Sequence, residues 1–211
     1  MRHSFWWKNA LALAGVSGLA AGTANADITY TLTNQTFTGG QFLNLQAFLG
    51  QEVTGTLTAV SVDATLNAST NYTYADDLCV YVDPLPLGTG GLLQVGGFSN
   101  LGAAQRAYWA NGGSSLPGTT VIDTRSAGNP GIGPPPTNLP GTWTTPLTFA
   151  GTVADARIWI GNGYAIGAST SGTWTGTITL VGVNAVPEPT SAGLLLAGSA
   201  LAAAGIRRRR V

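Results

Sequence analysis

The chain has 211 residues, a formal net charge of zero, one cysteine and one histidine, and only 9% of its residues are charged. The neutral total hides an asymmetry: six of the nine basic residues (Arg2, Lys8 and Arg207 to Arg210) lie at the two ends, so between residues 27 and 185 eight acids face three arginines, a formal charge of −5. That interior, which has no lysine and no histidine, excludes a phosphate-gripping nucleic-acid surface and lacks the parts for Ser-His-Asp, Cys-His or ordinary zinc chemistry.

The first 26 residues read as a signal peptide. Arg2 and Lys8 flank the start, Ala10 to Ala21 is an uncharged apolar run, and Ala24-Asn25-Ala26 places small residues at the two positions that signal peptidase inspects. Cleavage after Ala26 makes Asp27 the mature N-terminus and removes His3.

From Asp27 onward the pattern is that of strands. Ile28, Tyr30 and Leu32 alternate with Thr29, Thr31 and Thr33, and Val60, Val62, Ala64 and Leu66 alternate with Ser61, Asp63, Thr65 and Asn67. Each set gives one apolar and one wet face. Between them, Phe42, Leu45, Phe48 and Leu49 have helical spacing, which predicts a short helix within 41–49. Further strands are expected at 78–82, 92–95, 119–122, 147–149, 156–160 and 172–183, the last burying Trp174, Ile178 and Leu180 and exposing Thr173, Thr175, Thr177 and Thr179. Gly39-Gly40, Gly96-Gly97, Asn111-Gly112-Gly113, Asn162-Gly163 and Ser171-Gly172 supply turns. The prolines of 126–140 predict a long surface loop. Short strands with such punctuation make residues 27–185 one all-β domain, a β-sandwich of jelly-roll-like form.

Candidate chemistry in this domain is sparse. Cys79 sits in an apolar strand and is expected to be a buried, inert thiol, and it forbids an intrachain disulfide. Asp76 and Asp77, with Asp83 a strand's length away and Asp63 on the preceding strand, are the candidates for a calcium site, since hard cations take several carboxylate oxygens; otherwise no cofactor is expected. Trp109, Trp143, Trp159 and Trp174, with Tyr72, Tyr74, Tyr81, Tyr108 and Tyr164, are candidates for a sugar-stacking platform, and Tyr108-Trp109 beside the Asn111-Gly112-Gly113 turn is the pair singled out. Carboxylates alone do not make an enzyme, and none is expected.

The end of the chain carries a different kind of message. Val186, Pro187, Glu188, Pro189 and Thr190 precede a 16-residue uncharged stretch, Ser191 to Ile206, and then Arg207, Arg208, Arg209 and Arg210. The stretch is shorter than the ~20 residues that comfortably span a bilayer core, which suits a hydrophobic helix held briefly. The arginines orient it with the body outside. Pro187 and Pro189 keep the preceding segment extended, as a protease requires. This order resembles the PEP-CTERM sorting signal of Gram-negative bacteria, recognised by the membrane protease-transpeptidase exosortase. The resemblance implies export, passage through the inner membrane, removal of the tail, and a destination at the cell surface, in the biofilm matrix or in the medium, commonly in bacteria that make exopolysaccharide. The expected partners are therefore signal peptidase, exosortase and, outside the cell, exopolysaccharide. The expected role is structural or adhesive, with a glycan-binding module as the alternative. A second resemblance, carried by Tyr74-Ala75-Asp76-Asp77-Leu78, a Gly-Thr-Gly turn and Gly172-Thr173-Trp174, is to jelly-roll accessory domains such as the P domains of subtilisin-like proteases; it implies topology only.

Overall fold

The computed structural model describes residues 27–84, 90–135, 138–164 and 169–186. The signal peptide with Ala24 and Ala26, and the tail from Pro187 through Arg210, lie outside them. Among the described residues no helix is long and apolar enough to cross a membrane.

Among the described residues, ten strands form two sheets: β1 (Ile28–Thr38), β2 (Phe42–Asn44), β3 (Val53–Thr70), β4 (Leu78–Asp83), β5 (Leu93–Val95), β6 (Gln105–Ala107), β7 (Thr120–Ser126), β8 (Leu147–Ala150), β9 (Arg157–Asn162) and β10 (Ser171–Ala185). One sheet runs β1-β10-β3-β7, with β8 paired to the other stretch of the same edge of β3; the second runs β2-β9-β4-β5-β6. The chain is an all-β sandwich. Its two orders, first-last-third and second-penultimate-fourth, trace a long hairpin wound across both sheets, the path a jelly roll follows. The departure from that path is β6, which lies parallel to β5.

Alternation decides which side chains enter the core. Tyr30 and Leu32 on β1, Val60, Val62, Ala64 and Leu66 on β3, and Trp174, Ile178 and Leu180 on β10 are all buried. The opposite face of the first sheet is a lattice of hydroxyls paired across strands: Thr29 with Thr179 at 3.0 Å, Thr36 with Thr173 at 2.8 Å, Ser61 with Thr124 at 2.9 Å and Thr65 with Thr120 at 3.0 Å. Such pairs replace water as partner for each hydroxyl and fix the register. Strand β4 does not alternate, and all six of its residues are buried. It is central in its sheet, and the loop after β5 covers its outer face, with the Tyr81 hydroxyl donating to the Leu101 carbonyl at 2.9 Å.

The 41–49 segment is half strand and half helix. Phe42–Asn44 pairs with β9, and only Leu45–Leu49 is helical (α1), capped by Asn44, whose side chain accepts from the Ala47 N–H at 3.0 Å. An N-cap residue has extended backbone, so Asn44 ends the strand and starts the helix. The 126–140 segment is also more ordered than a free loop: Ser126 closes β7, Ser126 bridges to Asn129 and Ile132 to Pro140, and the Pro130 carbonyl accepts from the Tyr108 N–H at 2.8 Å.

Candidate functional site

At the end of the sandwich where β3 stops and β10 begins, several connections leave a cleft of about 310 Å³ between them. Its first wall is the turn after β3. Thr70 accepts a backbone bond from Thr73 across Asn71 (φ 49°) and Tyr72 (φ 62°), so both central residues are left-handed, the geometry of a type I′ turn. Glycine is the usual second central residue there, and a tyrosine carries a steric cost. The result is a ring held out in solvent at the rim: Tyr72 is 73% exposed. Tyr74 follows, also exposed, and then one turn of 3₁₀ helix, Ala75–Asp77.

That short turn places two carboxyls at the cleft floor. Asp77 is buried, and its Oδ2 accepts from the Tyr74 N–H at 2.7 Å while Oδ1 accepts from the Phe98 N–H at 3.1 Å, tying two walls together. Burial nevertheless raises its pKa to about 7, outweighing the two amide bonds that favour the anion, with the neighbouring Asp76 charge adding to the rise. Asp76 is half-buried and is raised to about 6, again by desolvation.

The opposite wall is Gly96-Gly97-Phe98. Gly96 (φ 75°) has no alternative, because a Cβ there would lie 2.0 Å from the Trp109 indole nitrogen. That nitrogen donates to the Leu78 carbonyl at 2.8 Å, so Trp109 braces the cleft from behind. Arg106 holds the same loop, donating to the carbonyls of Gly97 and Phe98 at 2.8 Å and of Ser99 at 3.2 Å, while its guanidinium sits 4.6 Å from the Tyr108 ring centroid. Phe98, 48% exposed, meets Tyr164 edge to face at 6.0 Å between centroids. Pro134 and Pro135 of the proline-rich segment complete the lining.

The sequence candidates sort cleanly. Tyr108 and Trp109 do line the cleft, but both are almost fully buried, so they support it while Tyr72, Tyr74, Phe98 and Tyr164 offer the accessible rings. Trp143, Trp174 and Tyr81 are core residues with no exposed surface. Trp159 is half-buried on β9, away from the lining. Phe98 was not readable from sequence; its signal, an aromatic directly after a glycine pair, is too common to select it.

The four acids offered for calcium are not brought together. Asp76 and Asp77 share the cleft, Asp83 is at the far end of β4, five residues or about 17 Å along the strand from Leu78, and exposed Asp63 lies on the hydroxylated outer face, paired with Thr177 of β10. Among the described residues no three His, Cys, Asp or Glu side chains form a group able to hold a metal ion. Cys79 is fully buried, and desolvation raises its thiol pKa, which keeps it protonated.

Chemically the cleft offers flat apolar rings at its mouth and hydrogen-bonding carboxyls at its floor. The family model of the PEP-CTERM protein-sorting motif matches residues 185–210. No curated protein and no solved structure matches the chain, so the likeness to protease accessory domains has no support from relatives.

Proposed function

This chain carries the PEP-CTERM sorting motif, which implies export and handling by exosortase, and on that premise we propose that it serves as an adhesive protein of the cell surface or matrix, its body binding glycan in the aromatic cleft. One observation carries the reading: four accessible aromatic residues, Tyr72, Tyr74, Phe98 and Tyr164, from three separate connections surround a floor holding Asp76 and Asp77. A sugar ring has an apolar face that stacks on aromatic rings and hydroxyls that bond to carboxyl oxygens. Tyr72 supports the reading further, because a tyrosine kept in left-handed backbone is a strain that core packing does not require.

The reading is of binding without turnover. Asp76 and Asp77 are adjacent in the chain, and both oxygens of Asp77 are taken by the Tyr74 and Phe98 amides. Among the described residues no other carboxyl lines the cleft, so there is no acid and base on opposite sides of a glycosidic bond, as turnover would need. No cofactor is invoked.

The test is a titration of intrinsic fluorescence of the secreted protein with the host's own exopolysaccharide. Tyr72→Ala with Phe98→Ala should weaken binding at least tenfold, which corresponds to about 1.4 kcal/mol. Thr177→Ala on the outer face should leave it unchanged. Equal binding by all three proteins would remove the cleft from the proposal.

A further inference from the structure

We infer that while the tail holds the protein in the membrane, the sandwich stands on one end and presents the aromatic cleft from the other, so that the partner it fits is a glycan beyond the membrane rather than a lipid headgroup. This rests on the sorting reading of the tail and adds to it a direction.

The argument starts from β10. It begins at Ser171, paired with Thr70 beside the cleft, and ends at Ala185, paired with Val53. Its 15 residues run the length of the sandwich, about 45 Å. The sorting motif starts where that strand stops, at residue 185. No slack intervenes: the Val186 N–H donates to the Glu52 carbonyl at 2.8 Å, and Gly151 lies against the Val186 side chain. From Val186 to the start of the apolar stretch at Ser191 is five residues, a reach of at most ~18 Å even fully extended. The tether is therefore less than half the distance from its root to the cleft.

Beside the exit of the chain, the turn after β8 carries Val153 at 80% exposure. Asp27, the first residue of the mature chain, is at this end too, its carboxylate accepting from the Gly182 N–H at 2.9 Å. Both processing events thus fall on one end of the fold. A pose lying flat on the first sheet would press its hydroxyl lattice and the exposed Asp63 against lipid, whereas the end-on pose sets the Val153 turn at the membrane, with Asp27 and the Glu52–Arg157 pair behind it.

The experiment uses the full precursor in inner-membrane vesicles from a host lacking exosortase. Val153→Cys and, separately, Phe98→Cys are labelled with a fluorophore, the fully buried Cys79 leaving the introduced thiol as the reactive one, and headgroup-nitroxide lipid is the quencher. The label at 153 should be quenched several-fold more than the label at 98, and Asn100→Cys on the same distal loop should repeat the weak quenching. Equal quenching at the two ends, or stronger quenching at 98 and 100, overturns the end-on orientation while leaving the sorting reading intact. Recovery of the labelled chain in the soluble fraction alone overturns both. Loss of glycan binding with the quenching pattern preserved would count against the cleft's ligand only.

Discussion

Replacing Trp174 with alanine should be the most costly single truncation in β10. The indole has no exposed surface, packs 6.2 Å centroid to centroid from Phe37, and donates from its ring nitrogen to the Ala75 carbonyl at 3.2 Å. The backbone of Gly172 closes over it so tightly that an added Cβ would come within 2.2 Å of the ring. Removing a buried large aromatic costs about 3–5 kcal/mol, and stranding the Ala75 carbonyl adds about 1 kcal/mol. For a domain of this size that total corresponds to a fall in Tm of roughly 10–15 °C. Thr177→Ala, on the outer face of the same strand, should stay within about 0.5 kcal/mol. Thr175→Ala is intermediate, at about 1 kcal/mol, because its hydroxyl takes bonds from the Asn67 side chain at 2.7 Å and the Asn34 backbone at 3.1 Å and so steadies the bulge in β1. Thermal or denaturant unfolding of the secreted protein measures all three. A Thr177→Ala loss equal to that of Trp174→Ala, or a Trp174→Ala loss under about 1.5 kcal/mol, would refute the face assignment of the strand.

Two further outcomes are expected. Asp77 and Asp76 have folded pKa values raised to about 7 and about 6, above the unfolded 3.8, so the folded state holds their protons more tightly. Their contribution to stability is complete below about pH 4 and is lost as pH rises through 6 to 7; Tm measured across that window should fall for the native chain and fall less for Asp77→Asn, and parallel curves would count against it. Glu188→Ala should leave a larger, membrane-held form in an exosortase-containing host, detected by intact mass, while the unfolding curve of the body stays the same; normal trimming of that variant would sink the tail assignment.

Most of the strands were legible because their two faces meet different solvents. β3 and β10 alternate over long stretches, and a half-buried strand has no other way to satisfy both sides. Where the structure differs, the deciding forces are tertiary. Phe42–Asn44 has helical spacing with the residues after it, yet pairing with β9 draws it into a sheet. Gln105–Ala107 carries no apolar pattern and becomes β6 because it lies beside β5, with Arg106 fastened to the Gly97–Ser99 carbonyls. The cleft was legible only in its parts. Tyr72, Tyr74 and Tyr164 stand out as aromatics in a threonine-rich chain, but they meet only because β3 ends and β10 begins at the same place. Nothing local to Asp76 and Asp77 distinguishes a buried floor from the solvated entry to a strand. Asp83, a strand's length away, and Asp63, on the preceding strand, were the further metal candidates, and the length of β4 and the face of β3 that Asp63 occupies carry both away from the pair.

The hydroxyl lattice on the outer face of the first sheet has a consequence for the conditions the protein tolerates. Its cross-strand partners, Thr29 with Thr179, Thr36 with Thr173, Ser61 with Thr124 and Thr65 with Thr120, are neutral dipoles in contact. Mobile ions weaken attraction between exposed charges once their separation exceeds the Debye length, about 8 Å at 0.15 M, but they leave a hydroxyl-to-hydroxyl bond at 3 Å nearly untouched. A surface laced by lysine and glutamate would loosen as brine replaced fresh water and tighten again on dilution. The four hydroxyl pairs have no such dependence, so they hold their strands in register as the ionic strength changes.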